Sequence, residues 1–223
     1  MWQTITNVPS LSNNTNYCVT LPMQPNRRFY RLIRRTPQEV FTPTNTLPPV
    51  GSYNSPSNVL THFDNGLIAR NFSHQVPSPP NPLPPPCLSC PAQVYTFPSM
   101  LSWEVSTDGG KTFSAPVSAQ VVTTVMAQQT MVDSDTRFFD TEILAIQIGP
   151  GPTQSPMIRE SPTRQSLGKT FIRNGPSLSR PFLVSSYFGV FIEVSLDGGQ
   201  SWSGVLNPVQ VELNPQPLPS GGP

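Results

Sequence analysis

Apolar and polar residues alternate along several short stretches of the chain. The clearest alternation places Leu101, Trp103 and Val105 on one face of a stretch whose intervening positions, 102 and 104, are polar. A period of two is typical of a strand with one buried face. No stretch repeats apolar residues at helical spacing, and 29 prolines in 223 residues disfavour long helices. The pattern therefore predicts an all-β protein.

Two stretches with nearly the same sequence follow strands of this kind. Ser106–Phe113 reads STDGGKTF and Ser195–Trp202 reads SLDGGQSW, and their aspartates are 89 positions apart (197 − 108). An Asp-Gly-Gly run predicts a tight hairpin turn, because glycine adopts positive φ and the carboxylate accepts hydrogen bonds from the amides that follow. The expected turn residues are Ser106, Asp108, Gly110 and Phe113 in the first copy, and Ser195, Asp197, Gly199 and Trp202 in the second.

The duplicated turn indicates two related modules. A second similarity pairs His62–Ala69 with Phe138–Ala145 at a spacing of 76 (139 − 63), so each module is expected to open with a strand. We therefore predict two β-sandwich-like modules with hairpins. The predicted segments are 1–35 (an N-terminal β-strand segment), 36–57 (a Pro/Thr-rich linker), 58–130 (module one), 131–213 (module two) and 214–223 (a Pro/Gly tail). In the first segment, strands are expected at Thr4–Thr6, Tyr17–Leu21 and Arg28–Ile33, with a turn at Asn13–Asn16.

Both turn sequences resemble the Asp-box, or BNR, repeat of sialidases and many secreted β proteins. In those families the box is a structural element at the outer turn of a sheet, so the resemblance implies a structural role without catalysis. Phe138–Leu144, Met157–Thr163 and Phe191–Trp202 are also similar to an uncharacterised family of secreted or surface β-rich proteins of planctomycete and verrucomicrobial type. This second resemblance covers roughly residues 58–213 and implies an exported protein at or outside the cell surface.

Charge and hydropathy exclude some classes of partner. A net charge of +1 argues against a general affinity for nucleic acid or acidic membranes. Asn26–Arg35 interleaves arginines with aromatics, as a nucleic-acid groove does, but a single edge strand protected by arginines explains it better. The chain has no apolar run of membrane-spanning length, so no membrane insertion is expected. Its first residues do not resemble a signal peptide, so we expect a removed signal or another export route.

The cysteines indicate a local disulfide. Cys87 and Cys90 lie at the base of the proline-dense stretch 76–91, where a bridge would restrain the loop. A zinc site would need further ligands from Cys18, His62 and His74, and a redox pair would need a strand–helix setting that the flanking prolines disfavour. Cys18 is left over, either buried or free to pair with another chain. No metal or cofactor is expected.

Other candidate sites carry weaker signals. Asn13 and Asn71 begin N-glycosylation sequons, which permit a glycan in a suitable host. Arg159 and Glu160 could form an ion pair or a catalytic acid site, although glycoside hydrolysis requires a second placed carboxylate. The acidic residues between 133 and 142 lack the spacing of a calcium loop.

The sequence as a whole predicts a non-enzymatic extracellular structural protein. Duplicated β modules, low charge and strand-like sequence near the amino end favour a homo-oligomer or polymer, such as a surface filament or sheath built by β-strand addition. The alternative is a carbohydrate- or protein-binding module at the cell surface. In that case Tyr95, Trp103 and Trp202 would offer an exposed stacking platform.

Overall fold

The computed structural model describes residues 10–12, 16–18, 38–57, 59–77, 85–148, 157–178 and 180–214. All regular secondary structure in these ranges is strand and none is helix, which confirms the predicted all-β class. The strands are β1 (Ser10–Ser12), β2 (Asn16–Cys18), β3 (Val40–Thr42), β4 (Gly51–Asn54), β5 (Thr61–His62), β6 (Ile68–Val76), β7 (Gln93–Ser106), β8 (Val117–Asp133), β9 (Thr136–Ile148), β10 (Met157–Glu160), β11 (Ser166–Ser177), β12 (Arg180–Val190), β13 (Ile192–Ser195), β14 (Ser203–Gly204) and β15 (Val209–Asn214).

The chain divides into two compact units, Met1–Thr36 and Pro37–Pro223. In the first unit β1 and β2 form an antiparallel pair, with Ser10 opposite Cys18 and Ser12 opposite Asn16. β2 overlaps the start of the strand predicted at Tyr17–Leu21. The strands predicted at 4–6 and 28–33 and the Pro/Gly tail from 215 onward lie outside the described residues.

The second unit is built around a closed antiparallel barrel of eight strands. Neighbouring strands follow the order β11, β9, β8, β7, β6, β4, β15 and β12, and pairing of β11 with β12 closes the ring. At the closure, Gly168 lies opposite Phe188 and Ile172 opposite Val184. β3 adds to β12 and β5 to β6, while β10, β13 and β14 form a separate three-stranded sheet.

Alternate side chains of the barrel strands point inward and form the apolar core. On β7 the positions 95, 97, 99, 101 and 103 are buried, and the positions between them are exposed or half-buried. Ile158 of β10 and Ile192 of β13 belong to the same apolar core as these side chains, so the small sheet packs against the barrel. In the part of the chain described here, no helix has the length and apolar character needed to cross a bilayer.

The two-module arrangement expected from the sequence is not confirmed. β6 and β7 of predicted module one share one closed sheet with β9, β11, β12 and β15 of predicted module two, so strands of both predicted modules join the same barrel. The stretches 62–69 and 138–145 are also not equivalent, because the first forms β5 and the start of β6 while the second lies within β9.

The segment predicted as a linker, 36–57, is folded from residue 38 onward. It contributes β3 and the barrel strand β4, in which Tyr53 is only 1% exposed. The sequence gives little signal for this strand, because β4 is only four residues long. Its buried positions, Gly51 and Tyr53, provide a single large apolar side chain. Prolines before it strengthened the linker interpretation.

Candidate functional site

The first aspartate turn, Ser106–Phe113, follows β7 directly and is closed by its own side chains. The Ser106 hydroxyl donates to Asp108 Oδ1 (2.7 Å) and accepts from the Gly110 amide (2.9 Å). Asp108 Oδ1 also accepts from the Lys111 and Thr112 amides, each at 3.0 Å, and Oδ2 accepts from the Thr112 hydroxyl at 2.7 Å. The carboxylate therefore accepts hydrogen bonds from amides that have no backbone carbonyl partner within a tight turn.

The second aspartate turn, Ser195–Trp202, follows β13 with the same geometry. The Ser195 hydroxyl donates to Asp197 Oδ1 (2.7 Å) and accepts from the Gly199 amide (2.8 Å). Asp197 Oδ1 accepts from the Gln200 amide (3.0 Å) and the Ser201 amide (2.9 Å), and Oδ2 accepts from the Ser201 hydroxyl. Serine at 201 thus performs the function of threonine at 112.

Consecutive glycines make both reversals possible. Gly109 and Gly110 have φ of 76° and 84°, and Gly198 and Gly199 have φ of 73° and 91°. A side chain at these positions would be strained, because only glycine adopts positive φ without cost. The Asp-Gly-Gly order is therefore required by backbone geometry in both turns.

The hydrogen bonds of each turn fix its aspartate in the ionised form. Bonds from the Thr112 amide and hydroxyl, followed by the Ser106 hydroxyl, hold the pKa of Asp108 well below its usual range. Bonds from the Ser201 hydroxyl and amide, followed by the Ser195 hydroxyl, do the same for the pKa of Asp197. Carboxylates held in this state do not serve as general acids near neutral pH.

Each aspartate turn also carries an arginine stacked on its closing aromatic ring. In the first, the Arg70 guanidinium carbon lies 3.8 Å from the centre of the Phe113 ring, and Arg70 Nε is 2.7 Å from Glu104 Oε2. Glu104 accepts a further hydrogen bond, 3.0 Å long, from the Asn71 side-chain amide. One arginine therefore joins β6, β7 and the turn through an ion pair and a cation–π contact.

The second aspartate turn repeats this arrangement. The Arg159 guanidinium carbon lies 4.0 Å from the Trp202 ring centre, and Arg159 Nη2 is 2.6 Å from Glu193 Oε2. Glu193 Oε1 accepts from the Ser161 hydroxyl (3.0 Å). Arg70 and Arg159 are 89 positions apart (159 − 70), as are Glu104 and Glu193 (193 − 104), so the repeat comprises a strand pair and its turn.

Sequence reasoning missed these arginine–glutamate pairs, although the 89-residue offset would have found them. Arg159 pairs with Glu193, and the interaction considered for Arg159 with Glu160 is not among its contacts in the structure. Glu160 instead accepts from the Ser166 hydroxyl at 3.1 Å. Burial, followed by the Glu142 and Glu193 carboxylates, raises the pKa of Glu160 to about 7 against the lowering effect of that hydroxyl.

The aromatic side chains considered for sugar stacking do not form an exposed platform. Trp103 is 2% exposed and Tyr95 5% exposed, because both face the barrel interior. Trp202 is half-buried, its ring is covered by Arg159, and its indole N–H donates to the Gly199 carbonyl (3.0 Å). The expectation of a stacking surface from these three residues is therefore wrong.

The remaining predicted sites lie apart from the aspartate turns. Cys87 and Cys90 form a disulfide in the loop between β6 and β7. Asn71 is exposed, has φ of 54° and lies at a bulge of β6. Asn13 lies outside the described residues. Among the described residues, no three or more His, Cys, Asp or Glu side chains cluster as metal ligands would.

A buried polar cluster inside the barrel was also missed. His74 Nε2 lies 2.8 Å from the Ser99 hydroxyl and 3.2 Å from the Thr123 hydroxyl, and the two hydroxyls are 2.8 Å apart. All three residues are buried, and burial lowers the pKa of His74 to about 4. The cluster is a neutral, hydrogen-bonded part of the core, and its only signal in the sequence is polar residues at inward positions of alternating strands.

An open cavity of about 660 Å³ lies at the end of β6, near this cluster. Its described lining combines apolar residues with neutral polar ones and includes no charged side chain: Val50, Gly51, Ser52, Gln75, Val76, Pro77, Pro98, Ser99, Met100 and Gln120.

Known proteins add no functional information to this geometry. No protein-family model matches the sequence, and searches of curated proteins and of solved structures found no significant match.

Proposed function

We propose that this protein is a non-enzymatic extracellular structural protein, a subunit of a surface filament or sheath that assembles by β-strand addition. The observation that carries the proposal is an edge of β8 that none of the described strands covers. β7 pairs with β8 only as far as Ala127, opposite Gln93. Beyond that point Gln128–Asp133 pairs with β9 on one side, and no described strand pairs with its other side.

The side chains of this edge favour a partner strand. Met131 is 47% exposed and Val132 49% exposed, and Gln128–Val132 contains no charge and no proline. Proteins usually protect free edges with lysine, proline or bulges, because unpaired amides and carbonyls template further strands. This edge carries one such device, a register shift between Gln129 and Met131 that increases the local twist, so we expect the added strand to be short.

A second copy of the chain provides a suitable donor. Residues 1–36 form a unit separate from the barrel unit and contain strands of their own. Donation of one such strand to the β8 edge of the next subunit would create main-chain hydrogen bonds with little requirement for specific side chains. A head-to-tail contact of this type generates an open filament when its rotation does not close.

The aspartate turns support a structural role over an enzymatic one. Every oxygen of Asp108 and Asp197 accepts hydrogen bonds from its own turn. Carboxylates engaged in this way stabilise a reversal of the backbone, because both oxygens already accept hydrogen bonds within the turn. The extracellular assignment rests on the resemblance of these turns to repeats of secreted proteins.

A cell-surface binding module is the alternative function. The observation that favours it is the uncharged cavity of about 660 Å³ beside Ser99, since the aromatic platform is absent. Saturable binding of a neutral oligosaccharide or peptide by a chain that never assembles would support this alternative.

The test is electron microscopy and light scattering of the full chain and of a variant carrying Met131→Lys and Val132→Lys. We expect filaments from the unmodified chain and monomers from the variant, because two lysines block edge pairing. Leu206→Lys is the matched control, since Leu206 is 57% exposed but lies outside β8, and it should still assemble. Deleting residues 1–35 should also give monomers. A monomeric unmodified chain, or filaments that persist in the edge variant, would contradict the proposal.

A further inference from the structure

We propose that the Cys87–Cys90 disulfide is a thiol-exchange site that takes low-molecular-weight thiols such as glutathione without unfolding the protein. Cys87 is exposed and Cys90 half-buried, and both lie in the loop between β6 and β7. An accessible disulfide sulfur is open to attack by a thiolate, whereas a buried one is protected. This inference is independent of filament assembly.

The disulfide contributes little to the barrel. It links residues only three positions apart, so it removes less chain entropy from the unfolded state than a long-range bridge. The Cys90 amide also donates to the Cys87 carbonyl at 3.0 Å, so a backbone hydrogen bond holds the same turn. Neither cysteine belongs to a strand or to the apolar core. Opening the bond should therefore leave the sheet intact.

The turn from Cys87 to Cys90 also favours re-formation of the disulfide after it has opened. With the bond open, the hydrogen bond between Cys90 and Cys87 would keep the two sulfurs near each other. Leu88 is 55% exposed and Ser89 is exposed, so a thiol can approach the loop from solvent. The flanking residues are prolines and a leucine, without a charged side chain from 85 to 91, so charged and neutral thiols are both admitted.

The exchange balances without an added oxidant. A thiolate RS⁻ attacks Cys87 Sγ, the Cys87–Cys90 bond breaks, and its electron pair leaves on Cys90 as a thiolate. Cys90 can then attack Cys87 Sγ and expel RS⁻, which restores the starting state. Alternatively, a second RS⁻ attacks the R sulfur of the mixed disulfide and forms RSSR, so two thiols are oxidised and the pair is reduced. In this second route Cys87 is the leaving thiolate. The Ser89 hydroxyl, 3.6 Å from Cys87 Sγ, is placed to stabilise it by donating a hydrogen bond.

The experiment measures reduction of the full chain by reduced glutathione, with Cys18→Ser as the background so that only one pair reacts. Samples are alkylated at intervals and analysed by mass spectrometry, both folded and in urea. We expect the folded chain to react at a rate within about tenfold of the unfolded chain, because folding does not cover Cys87. With Cys90→Ser added, Cys87 is a free thiol and the probe is oxidised glutathione: the Cys87 thiolate should attack one of its sulfurs and release reduced glutathione, and the mixed disulfide should persist, since the resolving thiol is gone.

The decisive comparison is between the rates at which glutathione reduces the folded chain and the chain unfolded in urea. A folded chain that reacts more than about tenfold slower than the unfolded one would overturn the proposal, because its disulfide would be protected by structure. The melting temperature provides an independent check, and reduction should lower it by no more than about 7 °C, the effect expected from the chain entropy of so short a loop. A larger decrease would show that the bond stabilises the barrel and would equally overturn the inference.

Discussion

Asp108 and Asp197 show how one side chain can specify a reversal of the backbone. Each carboxylate lies two positions after a buried serine and accepts from two successive amides and two hydroxyls, one of them that of the serine. Every hydrogen bond of these carboxylates is local, so the geometry of the turn depends little on which strand precedes it. This explains why the two copies are nearly identical although one follows a barrel strand and the other follows the small sheet.

Replacing either aspartate by asparagine should destabilise the protein at neutral pH. The amide has only one acceptor oxygen, so Asp108→Asn and Asp197→Asn each lose hydrogen bonds and should lower the melting temperature by a few degrees. Because each folded-state pKa lies below the ordinary value of 3.8, the stability gained from ionisation is present above pH 3.8 and is lost as the pH falls further.

Thermal unfolding at pH 7 and pH 3 measures both effects. The variants should lose less stability between these pH values than the unmodified chain does. Asp64→Asn provides the control, since Asp64 is exposed and lies in a different turn. Asparagine variants that match the unmodified chain at pH 7 would contradict the role assigned to the two carboxylates.

At the scale of elements, closure of the barrel depends on Gly168 in β11. A Cβ atom at this position would lie 2.4 Å from the Tyr187 carbonyl oxygen and 2.4 Å from Phe188 Cδ1. We expect Gly168→Ala to reduce the free energy of unfolding by about 1–3 kcal/mol, because the crowded strands must separate. Urea denaturation measures the loss. Gly204→Ala is the control, since its nearest heavy atom is 3.9 Å from the added Cβ, and equal effects of the two substitutions would contradict this explanation.

Gly168 also shows why local sequence patterns predicted the elements better than their arrangement. Alternation predicted β7, and the Asp-Gly-Gly runs predicted where two hairpins reverse, because both signals lie within a few neighbouring residues. The pairing of Gly168 with Phe188 has no such signal, since a glycine in a strand equally suits a bulge or a close approach. Repeated turns therefore suggested two modules, although the strands that carry them belong to one unit.

At the scale of the whole molecule, two buried or partly buried groups make stability respond to pH in opposite directions. His74 in the barrel has a pKa lowered to about 4, so its contribution is present above its ordinary value of 6.5 and is lost as the pH falls toward 4. Glu160, between the barrel and the small sheet, has a pKa raised to about 7. Its contribution is present below 4.5 and is lost as the pH rises toward 7. Between pH 4.5 and 6.5 the two effects oppose each other.

Single substitutions should separate these effects. One proton linked to folding changes stability by about 1.4 kcal/mol per pH unit, and less for Glu160 because it is partly solvated. We expect the unmodified chain to gain stability only weakly between pH 4.5 and 6.5. Glu160→Gln should make that gain steeper, toward about 1 kcal/mol per pH unit, whereas His74→Gln should reverse it. His74→Gln also disturbs Ser99 and Thr123, so the slope against pH, measured by urea denaturation, is the readout. Identical slopes in all three proteins would show that neither group links proton binding to folding.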